Sequence, residues 1–529
     1  MHKETERVIS ETYSLTHPQK RIWYTEQLYS NSSISNLAGF IRVKGNIDYS
    51  LLIKAIHFVT ENNSDFQIRL IQNDDEEPKQ YFAEPEPIEI PLFDIHDFED
   101  FDGWANHESQ IPFEQIQSRL YAFSIIRVSD KETLIFGRFH HIMIDGVSLD
   151  FLARQIFEAY ANLMDHEHQP QKKAPSYVSF IGNEQEYLSS PRFEKDRTFW
   201  HQKFSTLPEF ISLKDYNSYQ IGTEAQRKTI QVPKELTHEM HEFCDNYTAN
   251  IFSIFLATLY VYVYKMTGQR DIAIGTVYAN RTTKEEKEML GMFVSTFPLR
   301  TYLDPHIDFV TFLQHVNKEK ASILRHQKYP YDLLIQHLRK NNPQTDRLFG
   351  ICIEYRPLKW DEIVGVTYQT ESLSHGHEIN DVNIHIVEEM NTDELKLYLD
   401  YRTELFTEQE IDSMINGLLN ILQQVMMNPS QPLSEIQLLS EEEKHQVLFT
   451  FNDTNAEYPM DKTISMLFEE QVEKTPNHIA VVWEDRQFTY RELNERANQL
   501  ARTLLAKGVR REQLIGIMAD RSLDMIVGV

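Results

Sequence analysis

Residues 139–146 (FHHIMIDG) are the part of this chain whose residue types and spacing best suit catalysis. In a water-poor cavity, a histidine such as His141 can accept a proton from an attacking amine or hold that amine in a reactive geometry. Asp145 follows four residues later and can fold back as a clamp against an arginine, and Gly146 lets the chain turn sharply beside a substrate. Taken alone, these residues also fit a surface turn, because Asp-Gly is a common turn dipeptide.

The flanking segments predict how this motif is held. Apolar residues alternate along residues 122–128 and 133–139, which predicts two strands before the motif. Residues 149–164 carry apolar side chains at helical spacing, and Ser148 is the expected N-cap of that helix. The sequence therefore places the two histidines between a strand and a helix.

Residues 140–146 resemble the His-His-x-x-x-Asp-Gly signature of the condensation domains of nonribosomal peptide synthetases, relatives of chloramphenicol acetyltransferase. Further segments resemble motifs of the same family and occur in the family's order. They are residues 15–23 (LTHPQKRIW), 274–281 (IGTVYANR), 291–300 (GMFVSTFPLR), 326–331 (HQKYPY) and 348–349 (LF). The resemblance therefore extends over most of the chain.

This resemblance implies an α/β fold of two chloramphenicol-acetyltransferase-like lobes, arranged as a V-shaped pseudo-dimer with a central tunnel. By position, His141 is the catalytic or substrate-positioning residue, His140 and Asp145 are structural, and Gly146 gives backbone access to the reacting centre. Family members usually pair the motif aspartate with an arginine on an early strand, but the aligned residue here is Gln67. Arg69 lies on the same face of that strand, so either Gln67 or Arg69 is expected to meet Asp145.

The expected domains are an N-terminal lobe over residues 1–170 and a C-terminal lobe over residues 171–435. A linker over residues 436–457 then leads to residues 458–529. This last segment resembles the truncated N-terminal part of an adenylation domain, because FNDT at 451–454, at the end of the linker, and FTYREL at 488–493 resemble the entry to such a domain. It has no glycine-rich phosphate-binding loop, so we do not expect it to form an aminoacyl adenylate by itself.

The resemblance is strongest to the starter subtype, which begins lipopeptides. The opening motif stands within about a dozen residues of Met1, and residues 33–39 (SISNLAG) and 325–331 (RHQKYPY) resemble starter domains. The expected reaction transfers a fatty acyl group, often 3-hydroxylated, from acyl-CoA to the amine of the first aminoacyl thioester on a downstream peptidyl carrier protein. The domain would bind no cofactor of its own, because both substrates are carried on phosphopantetheine arms, and an adenylation domain would act in cis.

Two alternatives stay open at this stage. An ordinary chain-elongating condensation domain would take its donor from a separate carrier protein. A catalytically silent module would only dock carrier proteins, although the complete motif of His140, His141, Asp145 and Gly146 argues against this.

Composition excludes or disfavours several other classes of protein. A net charge of -28 disfavours non-specific binding to nucleic acid. With only two cysteines, Cys244 and Cys352, a disulfide framework is excluded and a cytoplasmic location is expected. Residues 1–12 do not resemble a signal peptide, and the apolar run at residues 251–264 is too short to span a bilayer, which predicts a buried core helix.

We expect no metal site. His375, His377 and His385 could be imagined as a cluster, but they fall on a loop and an alternating strand without suitable carboxylate or cysteine spacing.

Overall fold

A computed structural model describes residues 11–30, 32–72, 77–165, 175–214, 222–363, 365–392 and 394–529. The chain divides into two compact units, residues 1–443 and 444–529. The predicted lobe boundary at residue 170 lies outside the described residues, so it stays a prediction.

Strands and helices alternate along both units. The strands are Tyr13–Ser14 (β1), Asn36–Lys44 (β2), Ile68–Ile71 (β3), Lys79–Phe82 (β4), Leu92–Asp94 (β5), Tyr121–Ser129 (β6), Glu132–His140 (β7), Ala225–Gln231 (β8), Asp271–Tyr278 (β9), Ser295–Tyr302 (β10), Ile351–Leu358 (β11), Asp361–Ile363 (β12), Val366–Ser372 (β13), Val382–Glu389 (β14), Glu394–Arg402 (β15), Ile479–Trp483 (β16) and Arg486–Thr489 (β17). The helices are His17–Leu28 (α1), Tyr49–Asn62 (α2), Phe101–Ser109 (α3), Gly146–Met164 (α4), Tyr177–Leu188 (α5), Pro191–Lys203 (α6), Lys234–Tyr247 (α7), Ile251–Thr267 (α8), Phe309–Leu324 (α9), Tyr331–Arg339 (α10), Glu408–Met427 (α11), Glu441–His445 (α12), Ile464–Lys474 (α13), Tyr490–Ala506 (α14) and Leu523–Gly528 (α15).

Two six-stranded sheets organise the first unit, which confirms the predicted α/β class. The N-terminal lobe is built on the sheet β12-β13-β2-β7-β6-β5, and the C-terminal lobe on the sheet β10-β9-β11-β14-β15-β8. A small sheet, β1-β4-β3, lies beside the first. Helices α2 and α4 pack on the N-terminal sheet because their apolar stripes, including Ile56 and Ile156, belong to its core.

The C-terminal lobe is built around α8, as its apolar run predicted. The side chain of Asn250 caps the N-terminus by accepting from the Ser253 N–H, and Gly268 ends the helix with φ 74°. Residues such as Leu256 and Leu259 are fully buried among α9, α11 and the sheet. The helix is therefore a core element of its lobe.

Two segments of the C-terminal half cross over to the N-terminal lobe. Strand β13 pairs antiparallel with β2, so the hairpin β12–β13 extends the N-terminal sheet. The loop between β9 and β10 contributes Met289, Leu290 and Phe293 to the core of the N-terminal lobe. These crossovers tie the two lobes together beside the histidine motif.

The second unit contains α13, the two-stranded sheet β16–β17, α14 and α15. Phe488, Leu493 and Leu523 form its small buried cluster. In the described part of the chain, no single helix is long and apolar enough to cross a bilayer; α7 and α8 reach that length only as a pair bent by 102°.

Candidate active site

The histidine motif lies at the turn from β7 into α4. Strand β7 ends at His140 and α4 begins at Gly146, so the predicted strand, loop and helix are all present. The N-cap is Asp145, whose side chain accepts from the Ser148 N–H at 2.9 Å, and not Ser148 as the sequence suggested. The helix therefore starts three residues before the predicted position. Aspartate caps a helix as well as serine does, and its negative charge is attracted to the positive end of the helix dipole.

Asp145 is fully buried and its carboxylate accepts six hydrogen bonds. Two come from the guanidinium of Arg281, at 2.8 and 3.0 Å, and two from the backbone N–H and hydroxyl of Ser148. The last two come from the N–H groups of Phe293 and Val294, at 3.0 and 3.1 Å. Burial alone would raise the pKa of Asp145, but the charge and hydrogen bonds of Arg281 hold it below its usual value.

The expectation that Arg69 or Gln67 meets Asp145 is therefore wrong. The Arg69 guanidinium donates to the carbonyl oxygens of Phe66 and Ile68 within its own turn. The Gln67 amide donates to the carbonyl of Thr60. The position is taken by Arg281, which reaches Asp145 because the β9–β10 loop enters the N-terminal lobe.

Arg281 belongs to the segment 274–281, which resembles a motif of the family. The sequence therefore singled out Arg281, but it did not show that Asp145 is its partner. Its contact with Asp145 joins positions 136 residues apart. The Asp145 N–H also donates to the carbonyl of Gly291 at 3.1 Å. The motif loop is thus clamped by a segment that comes from the other half of the chain.

His140 is buried and has two partners. Its Nδ1 accepts from the Ile142 N–H at 3.1 Å, so its proton resides on Nε2 and is donated to the Glu26 carboxylate at 2.8 Å. Glu26 lies on α1 and is itself only 5% exposed. These contacts fix both the tautomer and the orientation of the His140 ring.

His141 faces a different environment. Its backbone N–H donates to the carbonyl of Ser35 at 2.7 Å, while the residue stays half-buried. Its Nδ1 is shielded from solvent and has no hydrogen-bond partner among the described residues. Burial lowers the pKa of His141. The negative charge of Asp145 acts to raise this pKa, and the positive charge of Arg21 lowers it further. The imidazole is therefore neutral near pH 7 and able to accept a proton.

Gly146 begins α4 and leaves open space at its first turn. A Cβ added at Gly146 would meet no atom within 4 Å, so the glycine is not required by crowding inside the protein. The free space at the first turn of α4 is available to a substrate.

An apolar pocket begins next to the motif. Helix α4 contributes Leu149 and Leu152, and β7 contributes Phe139, two residues before His141. The other lining residues come from β2, β6, β7 and β13: Gly39, Phe40, Ile41, Phe123, Ile135, Gly137, Thr370 and Glu371. Gly39 and Gly137 stand opposite each other in the sheet, and neither has room for a Cβ, because the Phe139 ring lies against Gly137 and the Glu371 backbone against Gly39.

A second, polar pocket lies where α1 approaches β10 and α10. It includes Arg21, Ser295 and Lys328, together with His17 and Asp332, whose Nδ1 and carboxylate are 2.8 Å apart. The opening sequence motif and the 291–300 motif therefore meet at one place.

Two of the three histidines considered for a metal have separate partners of their own. His377 Nδ1 is 2.9 Å from the Thr223 hydroxyl, and His385 lies between the carboxylates of Glu354 and Asp400. The described residues contain no group of three or more histidine, cysteine or acidic side chains arranged to hold a metal ion.

Comparison with known proteins agrees with this architecture. The family profile described as condensation domain matches residues 9–448, and the profile described as AMP-binding enzyme matches residues 468–529. The chain is 36% identical to a subunit of plipastatin synthase and 35% identical to surfactin synthase subunit 1, both of Bacillus subtilis (strain 168). Each match covers 98% of this chain but only 20% and 15%, respectively, of those much longer proteins.

Solved structures give the same fold. The first condensation domain of the CDA synthetase superposes with a TM-score of 0.74 at 19% identity, covering 82% of this chain and 100% of that chain. A starter condensation domain of rhizomide synthetase, in complex with C8-CoA and Leu-SNAC, gives a TM-score of 0.73 at 21% identity, covering 82% and 98%. The chain therefore belongs to the condensation domain family of nonribosomal peptide synthetases, whose members catalyse amide-bond formation, and it continues into the start of an AMP-binding domain.

Proposed function

We propose that this protein is a starter condensation domain. It transfers a fatty acyl group, with or without a 3-hydroxyl, from acyl-CoA to the amine of the first aminoacyl thioester on a carrier protein. The observation that carries this proposal is the apolar pocket whose lining includes Phe139, Leu149 and Leu152, which flank the residues from His140 to Gly146 in the sequence. Its lining is aromatic, aliphatic or glycine apart from Thr370 and Glu371, which favours a hydrocarbon chain over the amide groups of a peptidyl donor.

In the proposed reaction, the amine nitrogen attacks the thioester carbonyl carbon of the donor. His141 is neutral and either takes up the proton of the amine or holds the amine in line with the carbonyl. The tetrahedral intermediate then collapses, the carbon–sulfur bond breaks, and the departing CoA thiolate takes up the proton. In this proposal, backbone N–H groups at the start of α4, where Gly146 leaves open space, stabilise the oxyanion.

The neighbouring motif residues have structural roles in this proposal. His140 holds the loop against α1 through Glu26, and Asp145 holds it against the β9–β10 loop through Arg281. Both contacts keep the backbone of His141 in one conformation without engaging its ring.

The relatives support the proposal in two ways. The chain is similar over nearly its whole length to parts of the surfactin and plipastatin synthases, and its fold matches that of a rhizomide synthetase starter domain with an acyl-CoA bound. The two free cysteines and the use of CoA also fit a cytoplasmic enzyme, with the carrier protein and the adenylation domain as partners.

The test offers the purified protein two forms of the same acyl group, one on CoA and one on a carrier protein. The acceptor is the downstream carrier protein loaded with each of a panel of amino acids, and the product is identified by mass spectrometry. Acylated product from the CoA thioester supports the proposal. Product only from the carrier-bound donor would indicate a chain-elongating domain, and carrier binding without product would indicate a docking module.

The pocket is tested with Leu149→Phe, which places a larger ring in its wall. We expect the preferred acyl chain to become shorter by several carbons across a series of acyl-CoAs. Met164→Phe is the control, because Met164 lies on the same helix but is exposed and outside the pocket. An unchanged chain-length preference in Leu149→Phe would contradict this placement of the acyl chain.

A further inference from the structure

A histidine outside the motif lies on a segment that connects the two lobes. Residues 373–376 follow β13 in the N-terminal sheet and lead back toward β14 in the C-terminal sheet. Four hydrogen bonds hold the backbone of this segment, and their partners are Ala38, Ser109, Ser33 and Ala225. The position of His375 within the segment is thus determined from both lobes.

The same short turn anchors His375 and His141. The Ser33 hydroxyl donates to the carbonyl of His375 at 2.7 Å, and the carbonyl of Ser35 accepts from the His141 N–H at 2.7 Å. The Cα atoms of Ser33 and Ser35 are at most about 7 Å apart, because each residue spans at most about 3.6 Å. The two histidines therefore belong to one neighbourhood, and the charge of His141 is among the causes that act on the pKa of His375.

The ring of His375 has an unmet hydrogen-bonding capacity. Its Nδ1 is shielded from solvent and has no partner among the described residues, as is also true of His141 Nδ1. Burial lowers the pKa of His375 to about 4, so the ring is neutral at physiological pH. Buried polar atoms nearly always have a partner, so an atom without one in the free protein calls for an explanation.

The charged groups around His375 are already paired with one another. Arg227 binds the Asp400 carboxylate through two hydrogen bonds of 2.8 Å, and His385 bridges Asp400 and Glu354. Asp400 raises the pKa of His375 and Arg227 lowers it, so their influences oppose each other. These four side chains, Arg227, Asp400, His385 and Glu354, bind one another across the C-terminal sheet. His375 Nδ1 receives none of their hydrogen bonds.

We propose that His375 is a second substrate-contacting residue, whose imidazole hydrogen-bonds the thioester substrate that lies against His141. This inference rests on the proposed acyl transfer. A neutral imidazole both donates and accepts hydrogen bonds, which matches the carbonyl and amide groups of an acylated pantetheine arm. The acyl-donor substrate and the amine-acceptor substrate both carry such groups, so the experiment measures the binding of each substrate separately.

The test measures binding of two unreactive analogues by titration calorimetry, in which an amide replaces the thioester. One is an acyl-CoA analogue and the other an aminoacyl-pantetheine analogue. For His375→Ala we expect about three- to tenfold weaker binding of one analogue, as loss of a single neutral hydrogen bond predicts. His375→Gln keeps a donor and an acceptor and should bind within about twofold of the parent protein.

His377→Ala is the matched control, because His377 is two residues away and already has Thr223 as a partner. We expect its binding to be unchanged and the melting temperature of all three variants to stay at the parent value. With an active protein, KM for the affected substrate should rise in His375→Ala while kcat changes less.

Equal binding of both analogues by His375→Ala and the parent would overturn the inference, as would an equal loss in His377→Ala. Because binding is measured without turnover, the result does not depend on which donor the protein uses. Failure of the acyl-CoA donor in the turnover assay, with the His375 effect intact, would contradict the proposed starter function alone.

Discussion

Replacing Arg281 with methionine should destabilise the first unit more than any comparable loss of a surface ion pair. Both side chains of the pair are at most 2% exposed, so the substitution leaves the Asp145 carboxylate buried without its cation. Breaking one side of a buried pair costs about 3–5 kcal/mol. Four hydrogen bonds to Asp145 remain, from Ser148, Phe293 and Val294, so we expect a loss near 3 kcal/mol, the lower end of that range.

The control is Arg42→Met. Arg42 pairs with Glu132 and Glu371 across three strands, but its side chain is 31% exposed. Exposed pairs contribute about 0–1 kcal/mol, so this variant should lose no more than about 1 kcal/mol.

The assay is urea unfolding followed by tryptophan fluorescence. Trp23 and Trp200 are buried in the cores of the N-terminal and C-terminal lobes, so both lobes contribute to the signal. In the double variant Arg281→Met/Asp145→Asn, no unpaired charge is buried, so its loss should be smaller than the sum of the two single losses. A loss below about 1 kcal/mol for Arg281→Met would contradict the claim that Arg281 stabilises the motif loop through Asp145. Strict additivity of the two losses in the double variant would contradict it as well.

The same pair predicts a pH dependence. The folded pKa of Asp145 is lowered, so its contribution is present above the ordinary carboxyl pKa of about 4 and is lost as pH falls through the folded value. Arg281→Met removes the largest influence that lowers the pKa of Asp145, so the carboxyl takes up its proton at a higher pH than in the parent and the variant loses less stability on acidification. The difference between parent and variant should therefore shrink as pH falls from 8 into the acid range, and a constant difference would contradict this assignment.

Three further predictions concern the motif. Gly146→Ala should change the free energy of unfolding by less than about 1 kcal/mol, because the new methyl group meets no atom. The same substitution should lower turnover at least tenfold. Unchanged turnover would mean that no substrate occupies this space. Glu26→Ala leaves the buried His140 Nε2–H without an acceptor and should cost about 1–3 kcal/mol in urea unfolding, and a cost near zero would show that this contact is dispensable. Since the pKa of His141 is below its usual value of about 6.5, kcat/KM should be level near pH 7 and fall only at acid pH, and a fall that begins above pH 7 would contradict a neutral base.

The local parts of the site could be predicted from the sequence. Strand β7, the motif loop and α4 have short-range signals, namely alternating apolar residues followed by helical periodicity, and their observed ends lie within a few residues of the predicted ones. The core helix α8 is predictable for the same reason, since its apolar run is bounded by Asn250 and Gly268.

The long-range parts could not be predicted in this way. Arg281 meets Asp145 only because the β9–β10 loop enters the N-terminal lobe, and β13 joins β2 across more than three hundred residues. No periodicity indicates which distant segment will fill a lobe core. Arg69 was a reasonable candidate from its strand position, but its guanidinium is taken up by nearby carbonyl groups.

The most direct test of the central claim is a single-turnover measurement with His141→Ala. The parent protein and the variant are each mixed with acyl-CoA and a loaded carrier protein, and the acylated product is followed by mass spectrometry. We expect the variant to keep the melting temperature of the parent and to lose about 10²–10⁴-fold in rate, the usual contribution of a general base. Product formed at the parent rate by a folded His141→Ala protein would contradict the account.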